Sequence, residues 1–169
     1  MTKHKRVIDM KKYIYLAGPI AGLNFTEAND WRTYCQKKFA PGIVGISPLR
    51  CEPLEPGKLY AEDDSVIKMW SDPRAISCKN WLDTESSDLV LAYLPKEMND
   101  RRPSIGTIIE IGWAIGLRKP LIVVSDDDYV MDHPLIEHNA SWRFGEIDEA
   151  IEVIHGLFGD YIDQPHKWH

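Results

Sequence analysis

Four short apolar runs, each closed by turn-forming residues, restrict the fold of this chain more than any other feature. Tyr13 to Ala17, Leu89 to Leu94 and Leu121 to Val124 read as strands, and Ile43 to Ser47 is a weaker fourth. Their apolar residues are continuous rather than alternating, so both faces of the sheet they form must be covered. Helical patterns lie between them, at Glu27 to Phe39, Ser77 to Glu85 and Ile105 to Leu117. A last amphipathic stretch sets Ile147, Ile151, Ile154 and Leu157 on one side. Strands alternating with helices predict an α/β fold: one single-domain, Rossmann-like or flavodoxin-like parallel sheet flanked by helices. Residues 13–158 are expected to form this domain, with tails at 1–12 and 159–169. The segment 48–73 breaks the pattern with Pro48, Pro53, Pro56, Pro73 and the acidic run Glu62-Asp63-Asp64. A loop this long in a small domain is expected to be a lid over the site or a plain surface excursion.

The formal net charge of -6 argues against polymeric nucleic acid as a partner, because counterion release needs a basic face. A small molecule is the expected partner, and a local basic pocket remains compatible with a phosphate. Cys35, Cys51 and Cys78 are odd in number and lack C-x-x-C spacing, which favours free thiols in a reducing compartment. The basic start, Met1 to Arg6, is followed by Asp9, Lys11 and Lys12 rather than by an apolar signal core. No apolar run approaches the ~20 residues of a membrane span. A cytoplasmic protein without a membrane partner is expected. The run Asp126-Asp127-Asp128 reads as solvated loop carboxylates, and His133 and His138 lack zinc-site spacing, so no metal is expected.

Ligands of open parallel sheets bind at the carboxyl ends of the strands, which sorts the candidate residues. The first strand runs into Gly18-Pro19-Ile20-Ala21-Gly22, a turn that lets backbone approach a ligand closely. Tyr15 lies near that end and is either a core aromatic or within reach of the site. After the third strand, Ser104 or a neighbour is expected to cap a helix whose first-turn N–H groups form an anion-binding mouth. Glu110 follows within an otherwise apolar run, where a carboxylate is costly unless paired or used; it is either catalytic, or faces solvent or answers a buried arginine. The helix N-terminus is expected to favour its ionised form, as a nucleophile requires. Asn80 and Asp83 share a face near the start of the preceding helix. Arg74, just before them, is placed to meet an anion or is a surface arginine. Asp88 falls at the amino end of its strand and reads as structural.

At these residues the sequence resembles the nucleoside 2-deoxyribosyltransferase family. The resemblance is carried by Ile14-Tyr15-Leu16-Ala17-Gly18-Pro19, by Ser87-Asp88-Leu89-Val90-Leu91-Ala92, and by Ser104-Ile105-Gly106-Thr107 through Glu110-Ile111-Gly112-Trp113-Ala114 and Lys119-Pro120. Trp31-Arg32, Ser47-Pro48-Leu49-Arg50 and Pro73-Arg74-Ala75-Ile76 are similar to its phage and bacterial branch. The match runs from about Tyr13 to Ile151. The resemblance implies that Glu110 attacks the anomeric carbon of a 2′-deoxynucleoside and holds a covalent deoxyribosyl ester. It implies that Tyr15 orients that carboxylate, and that Gly18, Gly106 and Thr107 line the sugar pocket. An acceptor base or water completes the second step, and no cofactor or metal is implied. Members are oligomers whose sites borrow residues from a neighbour, a role open to the stretch His133 to Ser141.

Two departures qualify the expectation. Ser104 stands where the transferases usually carry aspartate, whereas the related 2′-deoxynucleoside 5′-phosphate N-hydrolases carry a serine that contacts phosphate. Asn80 stands on the base-side aspartate, and an amide cannot donate a proton as a carboxylic acid does. Asp83 is then the other candidate acid. Three readings follow: a deoxyribosyltransferase, a deoxynucleoside monophosphate N-hydrolase, and a non-catalytic nucleotide-binding or sensing module on the same fold.

Overall fold

The apolar runs become a parallel sheet in the computed structural model, which describes residues 10–50, 72–98 and 102–159. The expected lid falls largely on 51–71, and the tails fall largely on 1–9 and 160–169; these lie outside the described residues. The strands are β1 (Lys12–Ala17), β2 (Ile43–Ile46), β3 (Leu89–Tyr93), β4 (Leu121–Val124) and β5 (Trp142–Phe144). All pairs are parallel, in the order β2-β1-β3-β4-β5. This is the flavodoxin-like order, which decides between the two expected arrangements.

The period of two along each strand divides the core into two layers. Ile14, Leu16, Leu89, Leu91, Ile122 and Val124 point to one face, against Trp31, Cys35, Phe39, Ala150, Ile151 and Ile154. Those partners come from α1 (Phe25–Lys38) and α6 (Ile147–Phe158), with Phe39 capping the end of α1. Tyr15, Ala17, Val90, Ala92, Leu121 and Val123 point to the other face. There they meet Ile111 and Ala114 of α3 (Ile105–Gly116), Val130 of α4 (Asp128–Met131) and Ile136 of α5 (Pro134–Asn139). Burying each large aliphatic side chain contributes roughly 1.5–3 kcal/mol before the entropy of ordering it. The parity of Tyr15 therefore sends its side chain to the α3 side.

Caps fix where the helices begin. Asn24 and Glu27 form a reciprocal capping box at α1, and Lys37 and Lys38 occupy its last turn, where cations suit the helix dipole. α2 (Pro73–Ser86) starts four residues before the periodic pattern does, because Asp72 accepts from Arg74 N and Pro73 takes the first helical position. Short elements escaped the pattern. β5 has three residues, all half-buried, and α4 and α5 are one or two turns long. Asp127 caps α4 and His133 caps α5, so both polar stretches that invited a metal reading have structural uses. Asp126 accepts from Lys96 N at 2.7 Å. Asp88 accepts from Lys12 Nζ at 3.1 Å and from Tyr13 N at 2.9 Å, which ties the amino edges of β1 and β3. No helix among the described residues is long and apolar enough to cross a membrane.

Candidate active site

The sheet order reverses between β1 and β3, and the crevice at their carboxyl ends is the expected binding position. The chain leaves β1 through Gly18 and Pro19. A Cβ on Gly18 would lie 2.6 Å from the Trp31 ring and 3.1 Å from Tyr93 O, so only glycine allows α1 to press this close. Arg32, fully buried on α1, ties this exit down: Nε donates to Leu16 O at 3.1 Å, Nη2 to Gly18 O at 2.8 Å, and Nη1 to Ala28 O. Its guanidinium also lies 4.5 Å from the Trp31 ring centroid. A cation is thereby set beneath the crevice.

Glu110 of α3 is only 6% exposed and meets two donors. Tyr15 Oη donates to its Oε1 at 2.6 Å, and Asn80 Nδ2 donates to the same oxygen at 3.0 Å. Among the described residues Oε2 accepts nothing. Burial pushes the Glu110 carboxyl up to about 7, against the pull of the Tyr15 bond, Arg32, the Asn80 bond and Lys79. Desolvation thus outweighs the ionising influence expected of the helix N-terminus. Burial, followed by the negative charge of Glu110, holds the Tyr15 hydroxyl well above its ordinary range, so it stays a donor. The result is a carboxylate with one oxygen fixed by two donors and the other unengaged.

Asp83 is placed differently. Arg50 clamps it with two bonds, Nη1 to Oδ2 at 2.5 Å and Nη2 to Oδ1 at 2.7 Å, and Lys79 Nζ stands 3.7 Å from Oδ2. A carboxylate held this way is a structural anion that ties the β2 exit to α2. Ser104 caps α3, its Oγ accepting from Thr107 N at 3.4 Å. Among the described residues, Thr107 Oγ1 is buried without a hydrogen-bond partner, and a Cβ on Gly106 would meet nothing closer than Ser104 Oγ at 3.9 Å. Arg74 is exposed and lines a separate groove of about 610 Å³ with Pro73, Ser77, Cys78, Trp81 and Trp113. The structure therefore joins Tyr15, Asn80 and Glu110 directly, with Ser104, Gly106 and Thr107 on the same helix start. It does not bring Arg74 to them. No group of three His, Cys, Asp or Glu side chains among the described residues is arranged to hold a metal.

The sequence profile of the family described as nucleoside 2-deoxyribosyltransferase matches residues 14–161, from within β1 through the end of α6. The chain belongs to the nucleoside 2-deoxyribosyltransferase family. Solved structures agree on the fold. The 2-deoxyribosyltransferase of Bacillus psychrosaccharolyticus superposes with a TM-score of 0.58 at 16% identity, over 82% of this chain and 90% of that one. The CMP N-glycosidase of Clostridium botulinum gives 0.50 at 17% identity, over 87% and 100%. A molybdenum cofactor binding protein from Rippkaea orientalis gives 0.54 at 17% identity, over 87% and 97%. No curated protein matches the chain. Identities this low establish architecture alone, and one fold hosts both enzymes and binding proteins.

Sequence reasoning gave no role to Arg32, Arg50 or Lys79. For Arg32 the signal was present: Ala28, Trp31, Arg32 and Cys35 form the buried stripe of α1, so helical spacing sets the arginine on the core face. Lys79 and Asp83 form an i,i+4 pair on the inner side of α2, which also was readable. Arg50 pairs with Asp83 across 33 positions, and nothing local announces that.

Proposed function

We propose that this member of the nucleoside 2-deoxyribosyltransferase family cleaves the N-glycosidic bond of a 2′-deoxynucleoside or its 5′-monophosphate, with Glu110 as nucleophile. The observation that carries the reading is the double anchoring of buried Glu110, through Oε1, by Tyr15 and Asn80. Oε2 is left to attack the anomeric carbon. The C1′–N bond breaks as the C1′–O ester forms, and the electron pair departs on the base nitrogen. An acceptor base or water then attacks the same carbon and releases the carboxylate. Two displacements at one carbon retain its configuration and divide a hard step into two easier ones.

Asn80 in this reading orients the nucleophile instead of protonating the base, since its amide already donates to Glu110. Asp83, expected to be the alternative acid, is committed to Arg50. The departing base must then take its proton from water or leave unprotonated. A phosphate is proposed to sit at the mouth of α3, where Ser104, the first N–H groups and the unpartnered Thr107 Oγ1 offer donors. That favours a monophosphate N-hydrolase as the second reading. Arg74 joins only if a ligand spans both the crevice and its groove.

The outer surface of α3 supports the expectation of an oligomer. The helix carries no charged residue besides buried Glu110, and Ile105, Ile108 and Ile109 are exposed, Ile105 by 78%. A helix apolar all round is normally covered on all sides. Free thiols at Cys35 and Cys78 fit the reducing cytoplasm. The test is a panel of deoxynucleosides and their monophosphates, with and without a free acceptor base, read by chromatography of released base. Release is expected, faster for the monophosphate; release from none of the panel overturns the reading in favour of a binding module.

A further inference from the structure

We propose that Lys79 is a positioning residue for Glu110, acting through the side-chain amide of Asn80. Its catalytic meaning rests on Glu110 being the nucleophile. The lysine side chain is 10% exposed, far from the solvated surface lysine that neighbouring positions would suggest. Its Nζ lies 2.7 Å from Pro48 O, 3.3 Å from Asn80 Oδ1 and 3.7 Å from Asp83 Oδ2. The first of these belongs to the β2 exit and the last is pinned by Arg50, so the ammonium is fixed from both sides.

An ammonium only donates and a carboxylate only accepts. Asn80 stands between the two, with Oδ1 toward Lys79 and Nδ2 toward Glu110 Oε1. Turning the amide over would set its NH2 against the ammonium and its oxygen against the carboxylate, two repulsive contacts in place of two bonds. Lys79 therefore selects the amide orientation that anchors the nucleophile. Among the described residues, the charged and titratable groups felt by Glu110 are Tyr15 from β1, Lys79 from α2 and Arg32 from α1, with Asp83 felt at Tyr15. Lys79 supplies positive charge from the α2 side, and Arg32 supplies it from α1. Burial still dominates, so removing either cation is expected to drive Glu110 further toward its neutral, non-nucleophilic form.

The test follows Glu110 directly by carbon-13 NMR of protein labelled at the glutamate carboxyl, with Glu110→Gln identifying the signal. Lys79→Gln keeps a donor for Pro48 O and removes the charge; Lys79→Arg keeps the charge. Lys119→Gln is the control, a lysine whose Nζ likewise bonds a backbone carbonyl, Ser87 O at 2.7 Å, away from Glu110. The Glu110 midpoint is expected to rise by roughly one pH unit in Lys79→Gln, to return most of the way in Lys79→Arg, and to stay put in Lys119→Gln. An unchanged midpoint in folded Lys79→Gln, or an equal rise in Lys119→Gln, overturns the proposal. In the unsubstituted protein the Asn80 Nδ2 and Lys79 Nζ signals are expected to follow the Glu110 midpoint, which decides the matter should Lys79→Gln not fold; a Lys79 signal indifferent to it contradicts the proposal. In steady state, Lys79→Gln is expected to lower kcat and leave KM nearly unchanged. Because the titration needs no turnover, an inactive protein would sink the nucleophile reading while leaving Lys79 to be judged on its own.

Discussion

If Glu110 is the nucleophile proposed here, its carboxylate must ionise to act yet is pushed up to about 7 by burial, which couples stability to activity at one residue. Between the ordinary value of 4.5 and about 7, folded Glu110 keeps a proton that the unfolded chain has released. Its contribution to stability is therefore full below the lower value and lost as pH rises through the upper one. A shift of this size bounds the loss at about 3 kcal/mol. Glu110→Gln keeps an acceptor for Tyr15 and never ionises. It is expected to be inactive yet more stable than the parent at pH 8, with the difference vanishing near pH 4, as urea denaturation at the two values would show. For the parent, kcat/KM is expected to rise with pH through about 7. Asn80→Asp tests the amide beside it. Two carboxyl groups at the 3.0 Å now separating amide and carboxylate would share one proton, which offers an acid to the departing base if position 80 faces it as the resemblance implies. Single-turnover cleavage is expected to accelerate about 10²-fold; an equal or slower rate would keep Asn80 as an orienting donor only.

Elements set these residues in place through close approach. The exit of β1 is pressed against α1 by the absence of a side chain at Gly18, and Arg32 binds the carbonyls on either side of Ala17. Gly18→Ala forces the Trp31 ring or the β1 exit to move, and overpacking of this kind costs typically about 1–3 kcal/mol. A lowered urea midpoint together with weaker turnover is expected; a fully active, equally stable Gly18→Ala would mean that the exit tolerates displacement. The same elements show what the sequence could reveal. β1, β3, β4 and α3 were legible because continuous apolar runs must be buried, and Glu110 was legible as a charge inside one of them. β5, α4 and α5 were not, since three to six residues that mix polar with apolar side chains form neither a continuous apolar run nor a clear period. The bonds that hold Glu110 join residues far apart: Tyr15 to Glu110 across 95 positions and Asn80 to Glu110 across 30. The resemblance grouped these three side chains, but their bonds could not be read from spacing. The commitment of Asp83 to Arg50 was invisible for the same reason, and so the sequence left it as a free acid.

At the scale of the whole molecule, the uncharged outer face of α3 and the exposed Trp81 and Leu82 of α2 describe a surface that water solvates poorly. A second copy covering it is expected, and Ile109→Glu, which places a charge at the middle of that face, is expected to convert the oligomer to monomers in light scattering. A parent protein that is itself monomeric at micromolar concentration would contradict that assignment. The chemistry is also read on the intact molecule. Protein mixed with the substrate it cleaves best, quenched in acid within a turnover and weighed intact, is expected to gain the mass of one deoxyribosyl or phosphodeoxyribosyl group. Peptide mapping is expected to place that group on Glu110 within 105–116. A protein that releases base while the added mass sits on another residue, or never forms, would contradict Glu110 as the nucleophile.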